Sequence, residues 1–340
     1  MCGTSVMANL DVALLPNHWY AIAASTDLGS TPIAASLLDQ QLVVYRTTAG
    51  QVVVLDDRCP HRGASLACGQ VKGNAIACPY HGWQFDLDGH CAQIPSQQAS
   101  ARIPQAAKVA SYPVQERYGL IWVFTGDRDR AAQTPLWELP EYDQAGWRVV
   151  QGQFDWAADY RRVTENGMDV AHSPFVHANS FGASGNEVIA DFELEKSDLG
   201  AQIWIPIEPK ANYRGSFNLL GRKQETPKAG RSGAAFHLPN ITRIDIEFGN
   251  FHLILVGIHQ PISATTTRSH WLHVRNFLTA GWADGGTRKR TAKLFQEDQK
   301  IIEGIAPLRD RNEISVASDR LQLYYRQLWQ QHHSSLVAQG

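Results

Sequence analysis

Two short segments constrain this chain more than any other, Cys59-Pro-His61 and Cys78-Pro-Tyr-His81. Each brings one thiolate and one imidazole into a tight loop. Two such loops can hold either a two-iron, two-sulfide cluster or a single zinc ion. Zinc sites usually draw both cysteines from one knuckle and both histidines from another, whereas each loop here supplies one of each. In a cluster held by two cysteines and two histidines, the histidine-bound iron carries less negative charge. Its potential then lies at roughly −150 to +300 mV, against about −400 mV for all-cysteine ligation.

Strand signals flank both loops. Leu42-Val-Val-Tyr45 and Val52-Val-Val-Leu55, separated by Thr47-Thr-Ala-Gly50, read as a hairpin. Phe85-Asp-Leu-Asp-Gly89 ends in the Asp-Gly of another tight turn, and Tyr118-Gly-Leu-Ile-Trp-Val-Phe124 is a last apolar strand. A small all-β domain is expected there. At 340 residues the chain exceeds the size at which one core usually stops growing, so a second domain is expected. The polar run from Gly126 to Gln133, followed by Pro135 and Pro140, suits an exposed connection and places the domains at 1–126 and 127–340. Beyond it the pattern predicts a helix near 160–171 and strands near 203–207, 243–248, 252–258 and 269–277. Helices at 288–305 and 318–331 follow. The fold class is therefore α+β.

A second stretch bears chemistry: Glu165-Asn-Gly-Met-Asp169-Val-Ala-His172-Ser-Pro174-Phe-Val-His177. Asp169 and His172, three apart, would share a helix face. Pro174 disfavours helical geometry at Ser173, so a helix ending there lets His177 fold back toward His172. Taken alone, the pair could be two unrelated histidines among 13. At about 100° per residue, Leu294, Phe295, Ile301, Ile302 and Ile305 form an apolar stripe with Asp298 near its centre. Glu297 falls at the flank of that stripe and Glu303 on the far side. A carboxylate facing a core needs a cation or donors.

The residues around both half-sites extend the pattern. Cys59-Pro-His61-Arg62-Gly63 and Cys78-Pro-Tyr-His81-Gly82-Trp83, with Phe85-Asp86 and Gly89 following, resemble the two cluster-binding loops of Rieske oxygenases. Asp169-x-x-His172-x4-His177 is similar to the family's iron-binding motif. The resemblance implies a Rieske [2Fe-2S] cluster on Cys59, His61, Cys78 and His81. It also implies a C-terminal helix-grip domain, an antiparallel sheet closed over by a long C-terminal helix, with mononuclear Fe(II) on His172, His177 and Asp298. Two histidines and one carboxylate with open positions form the facial triad of oxygen-activating ferrous iron. Asp169 is then left free of the metal. The resemblance implies that it bonds an iron-bound histidine and, across a subunit boundary, His81 or His61 of a neighbouring copy. Tyr80 and Trp83 are expected to pack around the cluster, and Glu165 to be no more than a helix charge. Pocket walls are expected within 181–258.

Respiratory and photosynthetic Rieske proteins resemble this chain at the ligands but carry an extra cysteine in each loop. Ala64 and Tyr80 stand at those places here, which favours the oxygenase or soluble-ferredoxin branch. Two of the five cysteines are ligands in this reading, leaving Cys2, Cys68 and Cys91 as reduced thiols. A net charge of −2, from 31 Lys plus Arg and 33 Asp plus Glu, gives no reason to expect nucleic acid or an anionic membrane as partner. The first fifteen residues lack a signal-peptide pattern and no later stretch is long and apolar enough to span a bilayer, so a cytoplasmic protein is expected.

No Gly-x-Gly-x-x-Gly and no all-cysteine ferredoxin run appears. NAD(P)H and flavin are therefore expected on a separate reductase, with or without a ferredoxin. The length and the tail from Ser318 to Trp329 resemble the homotrimeric branch of monooxygenases and O- and N-demethylases. The expected activity is hydroxylation or oxidative demethylation of a small, aromatic or polycyclic substrate with O2 as co-substrate. Cis-dihydroxylation of a ring is the alternative, and an electron-transfer or binding protein without oxygenase activity is a third.

Overall fold

The computed structural model describes residues 13–98, 100–178, 180, 187–207, 230–305 and 313–337. They form two compact units, one of Ala13–Leu136 with Gln260–Ala264 and one built from Trp137–His259 and the chain from Thr265 onward.

The first unit holds three small sheets. Strands β1 (Trp19–Ala24), β2 (Ile33–Leu37), β3 (Gln40–Arg46) and β4 (Val52–Asp56) are followed by β5 (Gln70–Lys72), β6 (Ala75–Ala77), β7 (Gln84–Phe85) and β8 (Cys91–Gln93). Then come β9 (Ser111–Tyr112), β10 (Val114–Arg117) and β11 (Leu120–Phe124). The sheet orders are β1-β11-β10, β2-β3-β4-β9 and β5-β6-β7-β8.

The β3–β4 hairpin explains why its sequence is apolar without alternation. Val43, Tyr45, Val53 and Leu55 enter one core, with Cys59, Leu66, Ile76, Cys78 and Phe85. Leu42, Val44, Val52 and Val54 enter a second core with Tyr20, Ile121 and Val123. Successive side chains point to opposite faces of a strand, so a hairpin buried on both faces reads as a continuous apolar run. Gly50 closes its turn at φ 89°, with its N–H bonded to Thr47 O. At the Asp-Gly turn between β7 and β8, Gly89 has φ 81°, and a Cβ there would lie 2.2 Å from Val109 O. Only glycine fits that position.

In the second unit β12 (Arg148–Trp156) precedes α1 (Tyr160–Asn166) and α2 (Ser173–Val176). The strands β13 (Glu195–Ser197), β14 (Gly200–Ile207), β15 (Gly230–His237), β16 (Ile241–Phe248), β17 (Phe251–Pro261) and β18 (Thr267–Arg275) lead to α3 (Asp284–Ile302) and α4 (Arg320–Val337). One seven-stranded sheet runs β12-β18-β17-β16-β15-β14-β13. Its meander from β13 to β17 is antiparallel, as is the β12–β18 pair. Helices cover one face. Phe295 of α3 packs on Phe154, Trp156 and Trp271, and Tyr325 of α4 sits edge-on to Phe236. No helix among the described residues is long and apolar enough to cross a membrane.

Three local expectations change. The helix expected to reach residue 171 ends at Asn166. Gly167 then passes so close to β16 that a Cβ would lie 2.7 Å from Thr242 Oγ1, and residues 168–172 are not helical. Pro174 opens α2 rather than closing α1, since proline is tolerated in a helix's first turn, where no N–H is needed. Finally, α3 begins at Asp284 and stops at Ile302, which leaves Ile301 half exposed and Ile305 outside the helix. Its start survives two glycines because Arg148 and Arg275 grip the Asp284 carboxylate at 2.5 and 3.0 Å.

Candidate metal centres

The two cysteine–histidine loops have the same backbone wiring. Cys59 N–H donates to Ala64 O and Gly63 N–H to Cys59 O, at 2.9 and 2.8 Å. Cys78 N–H donates to Trp83 O and Gly82 N–H to Cys78 O, at 2.8 and 3.0 Å. Gly63 and Gly82 take φ of 76° and 71°, the left-handed geometry that turns each loop back on itself. The cysteines are buried, while His61 is half-buried and His81 exposed. Thiols therefore lie inside and imidazoles at the rim, with the two rings 4.5 Å apart. Burial pushes the Cys59 thiol up to about 11, against the pull of the His61 and Arg62 amides. Metal ligation would reverse that by stabilising the thiolate. Burial also lowers the His61 pKa, helped by His81 and Arg62. His61 Nδ1 is buried without a hydrogen-bond partner. Trp83 packs flat on His61 at 4.5 Å and 6°. Tyr80 is 66 % exposed, with its ring 3.9 Å from that of His81, so it shields little.

In the second unit His172, at the entry to α2, and His177, just past its end, meet Asp298 of α3. Their facing atoms form a near-equilateral triangle: Nε2 to Nε2 3.3 Å, His177 Nε2 to Asp298 Oδ1 3.2 Å, His172 Nε2 to Asp298 Oδ1 3.4 Å. Bonds of about 2.1 Å meeting at right angles set ligand atoms roughly 3 Å apart. Asp298 is 7 % exposed, and its Oδ1 makes no well-formed hydrogen bond despite those neighbours. Burial would raise its pKa, but the facing imidazoles hold it below the usual carboxylate range. Burial likewise pulls the His177 imidazole down, and Asp298 and Glu297 outweigh it to leave the pKa raised. The three atoms are close enough together to hold one metal ion.

Asp169 lies beside the triangle with a side chain 31 % exposed. Its Oδ1 accepts from Ala171 N–H at 2.7 Å, and its Oδ2 stands 3.9 Å from His172 Nδ1, which has no hydrogen-bond partner. Helix α1 is braced from α4. Arg326 forks onto Glu165 at 2.6 and 2.7 Å, and the Arg161 guanidinium lies 4.3 Å from the Trp329 ring centroid. Glu165 is thus a buried tie to the C-terminal helix rather than a mere helix charge.

The first unit matches the model of the Rieske [2Fe-2S] domain over residues 18–113. The second matches the vanillate O-demethylase oxygenase C-terminal domain over residues 156–334. The chain belongs to the Rieske oxygenase family. It is 35 % identical to the toluene-4-sulfonate monooxygenase system iron-sulfur subunit of Comamonas testosteroni, over 89 % of this chain and 92 % of that one. Identity is also 35 % to the vanillate O-demethylase oxygenase subunit of a Pseudomonas species, over 84 % of both chains. The crystal structure of dicamba monooxygenase bound to 3,6-dichlorosalicylic acid superposes with a TM-score of 0.85, covering 96 % of this chain and 99 % of that one at 24 % identity.

A Rieske oxygenase is an oxygen-dependent oxidoreductase with a [2Fe-2S] cluster and a mononuclear iron. The donors present suit both groups: two buried thiols with an unpartnered imidazole nitrogen at one centre, and two imidazoles converging on a buried carboxylate at the other. Sequence reasoning missed Glu297. Its Oε2 lies 2.9 Å from His177 Nδ1 and its Oε1 accepts from Ser180 Oγ at 2.6 Å. The helical period had placed it at the flank of the buried stripe, which is where the far side of an imagined ligand would be reached. Of the expected pocket region, residues 181–186 and 208–229 lie outside the described residues, as does Cys2. Cys68 and Cys91 are free thiols.

Proposed function

We propose that this Rieske oxygenase is the terminal component of a multicomponent system that hydroxylates or oxidatively demethylates a small aromatic substrate. The observation that carries the proposal is the His172–His177–Asp298 triangle of 3.2 to 3.4 Å, a three-ligand set that leaves coordination positions free. When bound there, iron supplies oxygen activation and the cluster supplies single electrons; the protein positions, shields and feeds them.

In this reading Cys59, His61, Cys78 and His81 hold the cluster, and His172, His177 and Asp298 hold Fe(II). Asp169 is the bridging residue: its Oδ2, now 3.9 Å from His172 Nδ1, would close on that nitrogen and, in a homotrimer, on His81 or His61 of a neighbouring copy. Electrons come from a separate reductase carrying flavin and nicotinamide, directly or through a ferredoxin, in the cytoplasm. One oxygen atom enters the substrate and the other leaves as water, consuming two electrons and two protons. Demethylation is the same hydroxylation directed at a methoxy carbon, whose hemiacetal product collapses to a phenol and formaldehyde.

The sheet supports an apolar ring as substrate. Thr242 touches the Gly167 turn, and residues two apart share its face: Ile244 and Ile246 on β16, with Leu255 and Leu253 opposite them on β17. All four aliphatic side chains are only half-buried. Relatives named for vanillate and toluene-4-sulfonate suggest methoxylated and methylated aromatic acids as first candidates.

Oxygen uptake with a reductase, formaldehyde release and product analysis under labelled O2 test the proposal. One labelled atom per product, or formaldehyde from a methoxy donor, is expected. A dihydrodiol carrying both atoms of one O2 would replace monooxygenation by cis-dihydroxylation. Anaerobically purified protein with about two irons per chain, rather than about three, would favour an electron-transfer protein.

A further inference from the structure

We propose that Glu297 fixes the orientation of His177 at the mononuclear centre, so that α3 sets two of the three protein ligands at once. The inference rests on the triad reading above and concerns a residue outside it.

Glu297 and Asp298 are consecutive on α3, about 100° apart around the helix. Asp298 points its Oδ1 at the two Nε2 atoms. Glu297 reaches the opposite side of the same imidazole, where its Oε2 lies 2.9 Å from His177 Nδ1. A carboxylate there accepts the Nδ1 proton and leaves the Nε2 lone pair facing Asp298 and His172. Such partners fix both the tautomer and the ring plane of a metal-bound histidine. The carboxylate is itself held, because its other oxygen accepts from Ser180 Oγ at 2.6 Å, with Lys293 Nζ 3.6 Å away. The Glu297 side chain is 12 % exposed and that of His177 4 %, so water competes little for the bond.

His172 is built differently. Its Nδ1 has no hydrogen-bond partner, and the nearest carboxylate oxygen, Asp169 Oδ2, stands at 3.9 Å while Asp169 Oδ1 is occupied by Ala171 N–H. One ligand imidazole is locked by α3 and the other keeps a free edge. The asymmetry divides the labour: Glu297 keeps the metal, and Asp169 remains available for a second partner.

Full-length protein with its cluster intact provides the test. Fe(II) retention is measured against a ferrous chelator, with the Rieske electron paramagnetic resonance signal as internal standard. The nitric oxide adduct of the ferrous site reports ligand geometry. Glu297→Ala should weaken Fe(II) binding by about 10- to 100-fold. Glu297→Gln, which keeps an acceptor, should lose less but alter the rhombicity of the nitric oxide spectrum. Ser180→Ala should shift affinity in the same direction by less than about tenfold. Parental Fe(II) affinity in Glu297→Ala together with a parental spectrum in Glu297→Gln, while Asp298→Ala loses its iron, would overturn the inference. If Asp298→Ala also keeps its iron, the triad reading itself fails, and the two failures remain distinct.

Discussion

The ligands proposed for the cluster lie in two short segments whose backbones repeat the same hydrogen bonds, Cys59 to Ala64 and Cys78 to Trp83. At the proposed mononuclear centre the assigned ligands come from separate elements, and the contact between His177 and Glu297 joins residues 120 apart in sequence. The first site is made by local turn geometry within a β frame. The second exists only once α3 has docked on β12 and β18. A local site should tolerate damage elsewhere in the molecule and fail completely when one of its own residues is lost. A long-range site should weaken by degrees as each supporting contact goes.

The largest effect expected is at the local site. Cys59→Ala or Cys78→Ala removes a thiolate that no neighbour can replace, so the cluster is lost outright. Iron should fall from about three to about one per chain, with the Rieske signal and oxygenase turnover abolished. Retention of a full-intensity signal in either variant would break the assignment. Next comes Asp298→Ala. Cluster and signal should persist while the third iron and substrate-coupled turnover are lost, and an unchanged iron count would remove Asp298 from the site.

Asp169→Asn is expected to leave both metals in place. Its Oδ2 lies 3.9 Å from His172 Nδ1, too far for a hydrogen bond, so iron retention should not depend on it. Substrate-coupled reoxidation of the reduced cluster should slow by at least about tenfold, in line with loss of a partner to a ligand histidine. Unchanged single-turnover kinetics would sink the bridging role and leave Asp169 as a turn residue bonded to Ala171.

The same contrast explains what could be read from the sequence. The cluster loops and the β3–β4 hairpin were legible because their determinants are local: a Cys-Pro-His and a Cys-Pro-Tyr-His segment, a turn glycine, and apolar residues on both faces of a strand. Four of the seven strands of the large sheet, β14, β16, β17 and β18, and its two long helices were legible from their sequence pattern, whereas β12, β13 and β15 were not. The end of α1 was not, because it depends on Gly167 pressing against Thr242 from a strand far along the chain. Nor was the start of α3, which two arginines from β12 and β18 secure. Glu297 was invisible for the same reason, since a helical wheel ranks residues by the side they face and cannot show which imidazole will stand there.

A smaller effect separates scaffold from site. Arg326 ties α4 to Glu165, whose side chain is 8 % exposed while that of Arg326 is 30 %. Removing one partner of a buried pair costs about 3–5 kcal/mol, and the exposure of Arg326 reduces this to about 2 kcal/mol for Arg326→Ala. The urea midpoint of near-ultraviolet circular dichroism should fall accordingly, while the Rieske signal before unfolding stays unchanged. A midpoint at the parental value would mean that Trp329, through Arg161 and Tyr160, holds α1 without help from the Arg326–Glu165 pair.

The smallest effect returns to the cluster and asks how local that site is. Trp83 of the second loop lies flat on His61 of the first, at 4.5 Å and 6°, the one side-chain stack between the two loops among those described. If backbone wiring alone shapes the loops, Trp83→Phe should change nothing. If the stack also holds His61 against the cluster, the smaller ring forfeits about 0.5–1 kcal/mol of aromatic contact. The cluster should then load fully but bleach in air roughly two- to fivefold faster, a rate ratio that follows from that energy. Fe(II) retention at the mononuclear centre should be untouched. A parental bleaching rate would make the backbone of each loop sufficient by itself. Faster bleaching would show that even the more local of the two centres depends on a contact between segments that the sequence keeps apart.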